Sequence, residues 1–292
     1  MTHKTFINIC LTLIALCWTM TIQAQTATVD GINYYLRSDK TATVTASTVT
    51  GDIVIPEKIT VDGVDYSVTS IGNEAFKDSK ALTSVAMPSV TSIGYCAFED
   101  CEALTSVDMP SVTSIDCGAF YQCNALTSVD MPSVTSISSD AFLSCASLTS
   151  VDMPLVTSIG NQAFNSCSSL TSVSMPSITS IGYGAFLGCS IVKLYLPATL
   201  TSIGNSCFNE TREITFAATA PAALGTDVFW EYAVIRVPES AVNDYRTAAG
   251  WSNYKDLIFS MSDITDYDVP VTAQEKESGL LDVITQDNLD KV

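Results

Sequence analysis

Seven phenylalanines, Phe76, Phe98, Phe120, Phe142, Phe164, Phe186 and Phe208, fall 22 residues apart without exception. Around them recurs one unit, clearest over residues 104–125 as LTSVDMPSVTSIDCGAFYQCNA, with neighbouring copies starting at Leu82, Leu126, Leu148 and Leu170. A fixed period of this length marks a stacked repeat architecture. The apolar positions of the second full copy explain why it must stack. Val107 and Met109 stand two apart, as on one face of a strand, and Leu104 sits where that strand begins. Pro110 cannot donate a ladder hydrogen bond and should end the strand. Val112 to Ile115 can form a second short extended piece, and the Gly/Ser/Asp positions before Ala119 suit a turn. One unit alone has too few apolar side chains to offset the entropy of ordering it, whereas stacked units share a continuous core.

The order LxxVxM, Pro, VTSIG, AF, then Cys three residues later resembles the BspA-type leucine-rich repeat of bacterial surface proteins. LTSVDM corresponds to the family's LxxLxL strand, and Cys123 stands where many leucine-rich repeats carry Asn. The resemblance covers residues 53–208 as repeats, and the flanks GINYYLR and VPESAVNDYRTAAGWSNY resemble the family's terminal segments. It implies a leucine-rich-repeat solenoid, a β-rich horseshoe or arc. One face would carry a parallel sheet, and the other short extended, irregular or turn segments. It also implies adhesion to host matrix proteins or to other microbes.

The expected organisation has five parts. Residues 1–24 read as a secretory signal, with Lys4 near the start, an apolar run, and a cleavage site after Ile22-Gln23-Ala24. Residues 25–60 read as an N-terminal β cap over the first coil, 61–216 as repeats, 217–261 as a C-terminal cap and 262–292 as an acidic tail. The period is expected to fade after Phe208. Ser240 is expected to cap a short helix with Val242, Tyr245 and Ala249 on one face and Gly250 stopping it, and Trp251 to pack back on the last coil.

Charge narrows the partners. A chain starting at Gln25 carries 12 basic against 31 acidic residues, a net charge of −19, which argues against nucleic acid and anionic membranes. Residues 81–190 contain no Lys or Arg but eight acids. Asp108, Asp130 and Asp152 share one repeat position and should form a carboxylate ladder on the exposed sheet face, beside Thr105, Thr127 and Thr149. That ladder reads either as a ligand or cation site or as a solvated stripe. Tyr95, Tyr121 and Tyr183, at variable positions, are candidate aromatic contacts. Cys101, Cys123, Cys145, Cys167 and Cys189 are 22 apart. With no CxxC pair and no accompanying His, they read as buried thiols and not as a metal site. Cys96 and Cys117 lie at the variable turn of adjacent copies, where a disulfide is possible.

Catalysis finds no foothold. The only His is His3, inside the signal, so the mature chain has no Ser-His or Cys-His pair. There is no GxxxxGK[ST] and no GxGxxG. The reading is therefore a non-catalytic, monomeric, cofactor-free recognition protein, secreted or at the cell surface. Its partner would be a protein or glycan on a host or microbial surface. A spacer module without a ligand, or divalent-cation-assisted glycan binding, are the alternatives.

Overall fold

The computed structural model describes residues 25–208 and 210–262. The expected signal, residues 1–24, and the acidic tail beyond Ser262 lie outside the described residues.

The chain winds as a solenoid of short parallel strands, two per coil. The first strand of each coil is built on the Val of the SVD triplet: Ser106–Asp108, Ser128–Asp130 and Ser150–Asp152 pair in parallel, with Val107, Val129 and Val151 in register. Pro110 follows two residues after the strand end, in agreement with its missing donor. The second strand is a two-residue piece, such as Ser114–Ile115 or Ser136–Ile137. These pieces align coil after coil into one parallel run from Val64–Ile71 to Ala223–Leu224. The second face is thus more regular than irregular turns, because every VTSI segment finds the same segment 22 residues away.

Between the two sheets lies the core. Leu104, Val107, Met109, Val112, Ile115, Ala119, Phe120 and Cys123 are all buried, as are their counterparts in the next two copies. The phenylalanines form one column. Phe98, Phe120, Phe142 and Phe164 stack with ring centroids 5.1 Å apart and planes within 6° of parallel. The backbone spacing between adjacent strands sets this distance, so identical residues are forced into offset contact. The cysteines form a second column. Each thiol donates to the carbonyl of the preceding copy's Phe, as Cys123 to Phe98 and Cys145 to Phe120, at 3.1 and 3.2 Å. The same carbonyls also accept the backbone N–H of their own copy's Cys, Cys101 to Phe98 and Cys123 to Phe120 at 3.2 Å, so the thiol is a second donor that ties one coil to the next.

At the N-terminal end an antiparallel meander, Gln25–Val29, Ile32–Leu36 and Thr41–Thr45, joins the long sheet through parallel pairing with Val64–Ile71. Ile32, Tyr34 and Leu36 turn inward in strict alternation. The short sheet begins separately at Gly51–Val54, paired with Leu82–Ala86.

The C-terminal end differs from expectation in three ways. First, the Phe column continues: Phe229 stacks on Phe208 at 6.4 Å, one residue short of the period. Second, the short sheet is interrupted. Its first part ends at Ser172–Ser174, and a new sheet of Lys193–Leu196, Glu213–Phe216, Val234–Val237 and Ile258–Ser260 begins after it. The cause is visible in the chain: Cys167 to Leu170 spans three steps, Cys189 to Ile191 only two. The shortened turn draws the following strand out of pairing, and Val173 is only half-buried where Val107, Val129 and Val151 are buried. Third, Ser240 does not cap the helix. It lies inside a 3₁₀ turn, Glu239–Ala241, that runs into the α-helix Val242–Thr247, and neither start carries a side-chain cap bond. The helix ends before Ala249, which is exposed, while Val242, Tyr245 and Ala248 face the core. Trp251 is fully buried as expected. Its Nε1 donates to the Ala222 carbonyl at 2.7 Å, and its ring packs edge-on against Phe216 and Tyr245.

Candidate functional site

The alternation within SVD decides which side chains are available. Val107, Val129 and Val151 point into the core, so Asp108, Asp130 and Asp152 point out, and all three are exposed. Asp130 and Asp152 are direct cross-strand partners. The column begins at Ala86 and ends at Ser174, which pair with the outer members. The carboxylate ladder is therefore three residues long and centred on the array.

Thr105, Thr127 and Thr149 stand beside it, exposed, and have a role of their own. Each hydroxyl donates to the carbonyl of the Thr 22 residues earlier: Thr105 to Thr83 at 3.0 Å, Thr127 to Thr105 and Thr149 to Thr127 at 3.2 Å. The threonines thus tie coils together and turn lone pairs outward. The exposed hydroxyls of Ser106, Ser128 and Ser150 on the same side can donate or accept, so with the carboxylates this strip of the face is rich in acceptors.

The tyrosines belong elsewhere. Tyr95 and Tyr183 are exposed and follow the Ser92–Ile93 and Ser180–Ile181 strands of the long sheet, each backbone N–H bound by an Asn side chain of the preceding copy. Tyr121 occupies a different repeat position, is half-buried, and receives a bond from Gln122 at 3.0 Å. Carboxylates and tyrosines do not converge on one site.

Two of the array's acids are neutralised by lysines one copy earlier: Lys77 reaches Glu99 at 3.0 Å and Lys80 reaches Glu102 at 2.7 Å. No three His, Cys, Asp or Glu side chains among the described residues are grouped to hold a metal ion. The cation-assisted reading of the Asp ladder thus has no preassembled ligand set. The thiol column is buried, and burial pushes Cys123 and Cys145 well above the usual thiol range and Cys101 and Cys167 up to about 12. Cys96 and Cys117 are free thiols; Cys96 is buried, and Cys117 faces Asp140 of the following copy at 3.9 Å.

These features define a leucine-rich-repeat solenoid, and comparison with known proteins agrees. The family described as BspA type leucine rich repeat region matches residues 57–155 and 135–229, with six copies. This is more than half of the chain, and the chain belongs to that family. The structure is similar to that of a leucine rich cell surface protein from Faecalibacterium prausnitzii, at 29% identity over 75% of this chain and 72% of the other, with a TM-score of 0.61. A leucine-rich repeat protein from Bacteroides ovatus shares the fold at 23% identity over 80% of this chain and 75% of its own, with a TM-score of 0.51. Comparison with curated proteins gave no match. No helix among the described residues is long and apolar enough to cross a membrane.

Proposed function

We propose that this protein is a non-catalytic recognition module, exported to or from the bacterial surface, that holds a protein or glycan partner on the exposed face of its solenoid. The observation that carries this reading is the in-register repetition of one outward strip, Thr-Ser-x-Asp, over a closed core. A face built on paired strands loses little entropy on association. Its acceptor character calls for a partner rich in donors: Arg and Lys side chains, or sugar hydroxyls. The Faecalibacterium relative is described as a cell surface protein, which supports a surface location here. The near-identity of the copies favours one competing reading, a spacer without a ligand, because a repeated face offers no unique patch.

The test is retention on immobilised mature protein of extracellular matrix proteins, glycans and whole bacteria, with the triple variant Asp108→Asn, Asp130→Asn, Asp152→Asn in parallel. Recognition through the strip predicts saturable binding that the triple variant slows in association and makes less sensitive to salt. Binding abolished by chelator in the native protein but not in the variant would assign the strip to a bridging cation. No retained partner of any class would leave the spacer reading standing.

A further inference from the structure

A cleft lies at the C-terminal end, away from the Asp ladder. It has a volume of about 990 Å³ and opens between Ser206, Glu210 and Arg212 on one side and the Asp227–Glu231 segment and the 3₁₀ helix Trp251–Leu257 on the other. Glu210, Asp227, Glu231 and Asp256 stand on its lining, and all four are exposed. None of them is ion-paired to a Lys or Arg among the described residues, whereas the basic side chain of the lining, Arg212, already has a partner.

The floor is aromatic. Phe229 is buried, and Tyr254 packs edge-on against it at 5.1 Å. The Tyr254 hydroxyl accepts the Val228 N–H at 3.0 Å, which leaves its own proton for an acceptor. Trp230 is only half-covered, with Tyr232 set edge-on to it at 5.3 Å. A partly exposed Trp costs hydrophobic stabilisation unless something covers it.

We infer that this cleft is a docking site for an arginine-bearing segment of a partner protein. Carboxylates accept hydrogen bonds and cannot donate them, while a guanidinium donates five and accepts none. A guanidinium over an indole face gains the cation–π attraction that a neutral ligand lacks. The field of the molecule acts in the same direction, since the array between residues 81 and 190 carries no positive side chain to repel a basic segment. The chain's own residues 263–292, with eight acids and two lysines, have the wrong sign for this cleft. The volume admits a short stretch of peptide and not one side chain alone. This inference rests on the recognition reading above and adds to it a second surface with a defined chemistry.

Tryptophan fluorescence tests it directly. The chain has three tryptophans: Trp18, outside the described residues, Trp251, which is fully buried, and Trp230 in the cleft. The full chain is titrated with an acetylated, amidated Arg-Gly-Arg-Gly-Arg peptide, with the same peptide carrying Gln for Arg, and with a neutral β-linked glucose tetrasaccharide. The expected result is a saturable emission change with the Arg peptide alone. It should be suppressed by salt, absent in Trp230→Phe, and displaced at least about tenfold in concentration by Glu231→Gln with Asp256→Asn. Calorimetric titration of Trp230→Phe should show binding weakened and not merely unseen. The triple Asn variant of the Asp ladder should respond like the native chain. Equal response to the Gln peptide, response to the tetrasaccharide only, or an Arg response untouched by the Glu231 and Asp256 changes would each overturn the inference. Unchanged circular dichroism and thermal midpoint in the variants exclude misfolding as the cause. If cell-surface partners are retained by the native chain and equally by the cleft variants, the inference fails while the recognition reading survives. Retention of no partner at all would strike the recognition reading itself.

Discussion

The central array and the C-terminal coils follow the same path but are held together by different means. From Leu82 to Ser174 each layer is nearly a copy of the last. Identical rings stack, identical thiols meet carbonyls, and Thr hydroxyls bridge to the coil before. Beyond Lys193 the layers are individual. Lys193 and Arg236 both reach Glu213 from the flanking strands, at 2.9 and 2.8 Å; Lys193 and Glu213 pair in register, and Arg236 stands two residues along its strand from Val234, the register partner of Glu213. Phe216, Phe229, Tyr245 and Trp251 form a mixed cluster of edge-on and tilted contacts in place of a ladder. Repetition gives the array nearest-neighbour stability, which damage perturbs locally. The C-terminal cluster concentrates contacts from several chain segments, so it should fail as a unit.

Truncations break this comparison most sharply. Trp251→Ala and Phe142→Ala each remove a fully buried aromatic side chain and should cost about 3–5 kcal/mol. Limited proteolysis should separate them. Trp251→Ala should open the chain at several sites between residues 216 and 260, while Phe142→Ala should open it only near its own coil.

Alkaline pH should affect the array first. Burial raises the folded thiols above their unfolded value, so the unfolded chain loses protons before the folded one does. The stability they contribute is therefore complete below about pH 8.5 and is lost as pH rises from there toward the raised folded value, by about 1.4 kcal/mol per pH unit for each thiol. Chemical denaturation between pH 7 and 10 should show this fall. Replacing Cys123 and Cys145 by Ala should flatten it, whatever it does to the absolute stability.

A smaller effect is expected at Glu213. Burial pushes its carboxyl up, but hydrogen bonds from Lys193 and Arg236 outweigh this and hold it below the usual range. Its contribution is present above the unfolded carboxylate pKa and is lost as pH falls through the lowered folded value. Glu213→Gln should cost about 1–2 kcal/mol at neutral pH and much less in acid, as denaturation at pH 7 and pH 3 would show. The smallest effect is that of the triple Asn change on the Asp ladder. Relief of repulsion should raise the thermal midpoint by about 1–2 °C, and a lowered midpoint would mean that the carboxylates have partners.

Much of the array was readable from the chain because the fold repeats a pattern short enough to be seen twice. Phe98 to Phe208 sit in one column, and SVD alternation placed Asp108 outside and Val107 inside, since one residue per pleat is all that the assignment needs. What escaped was what departs from the period by one residue. Phe229 was hidden by a spacing of 21, and the break before Lys193 by a turn one residue short. Ser240 has the right chemistry for a cap, but Pro238 leads the chain directly into a 3₁₀ turn, so the position to be capped falls elsewhere. The threonines were read for the outward side of their strand, whereas their hydroxyls bond along the stack, a contact between copies that one copy cannot show. The C-terminal cleft had no signature at all, because Glu210, Trp230 and Tyr254 are drawn together from three coils.

The central claim is that one column of in-register coils makes a rigid face whose stability is passed from neighbour to neighbour. Hydrogen exchange with mass spectrometry on Phe142→Ala measures this most directly. The account predicts faster exchange in peptides covering the coils of Phe120, Phe142 and Phe164, fading within a coil or two, with the N-terminal meander and the Trp251 cluster unchanged. Exchange accelerated equally from residue 25 to residue 260 would contradict it.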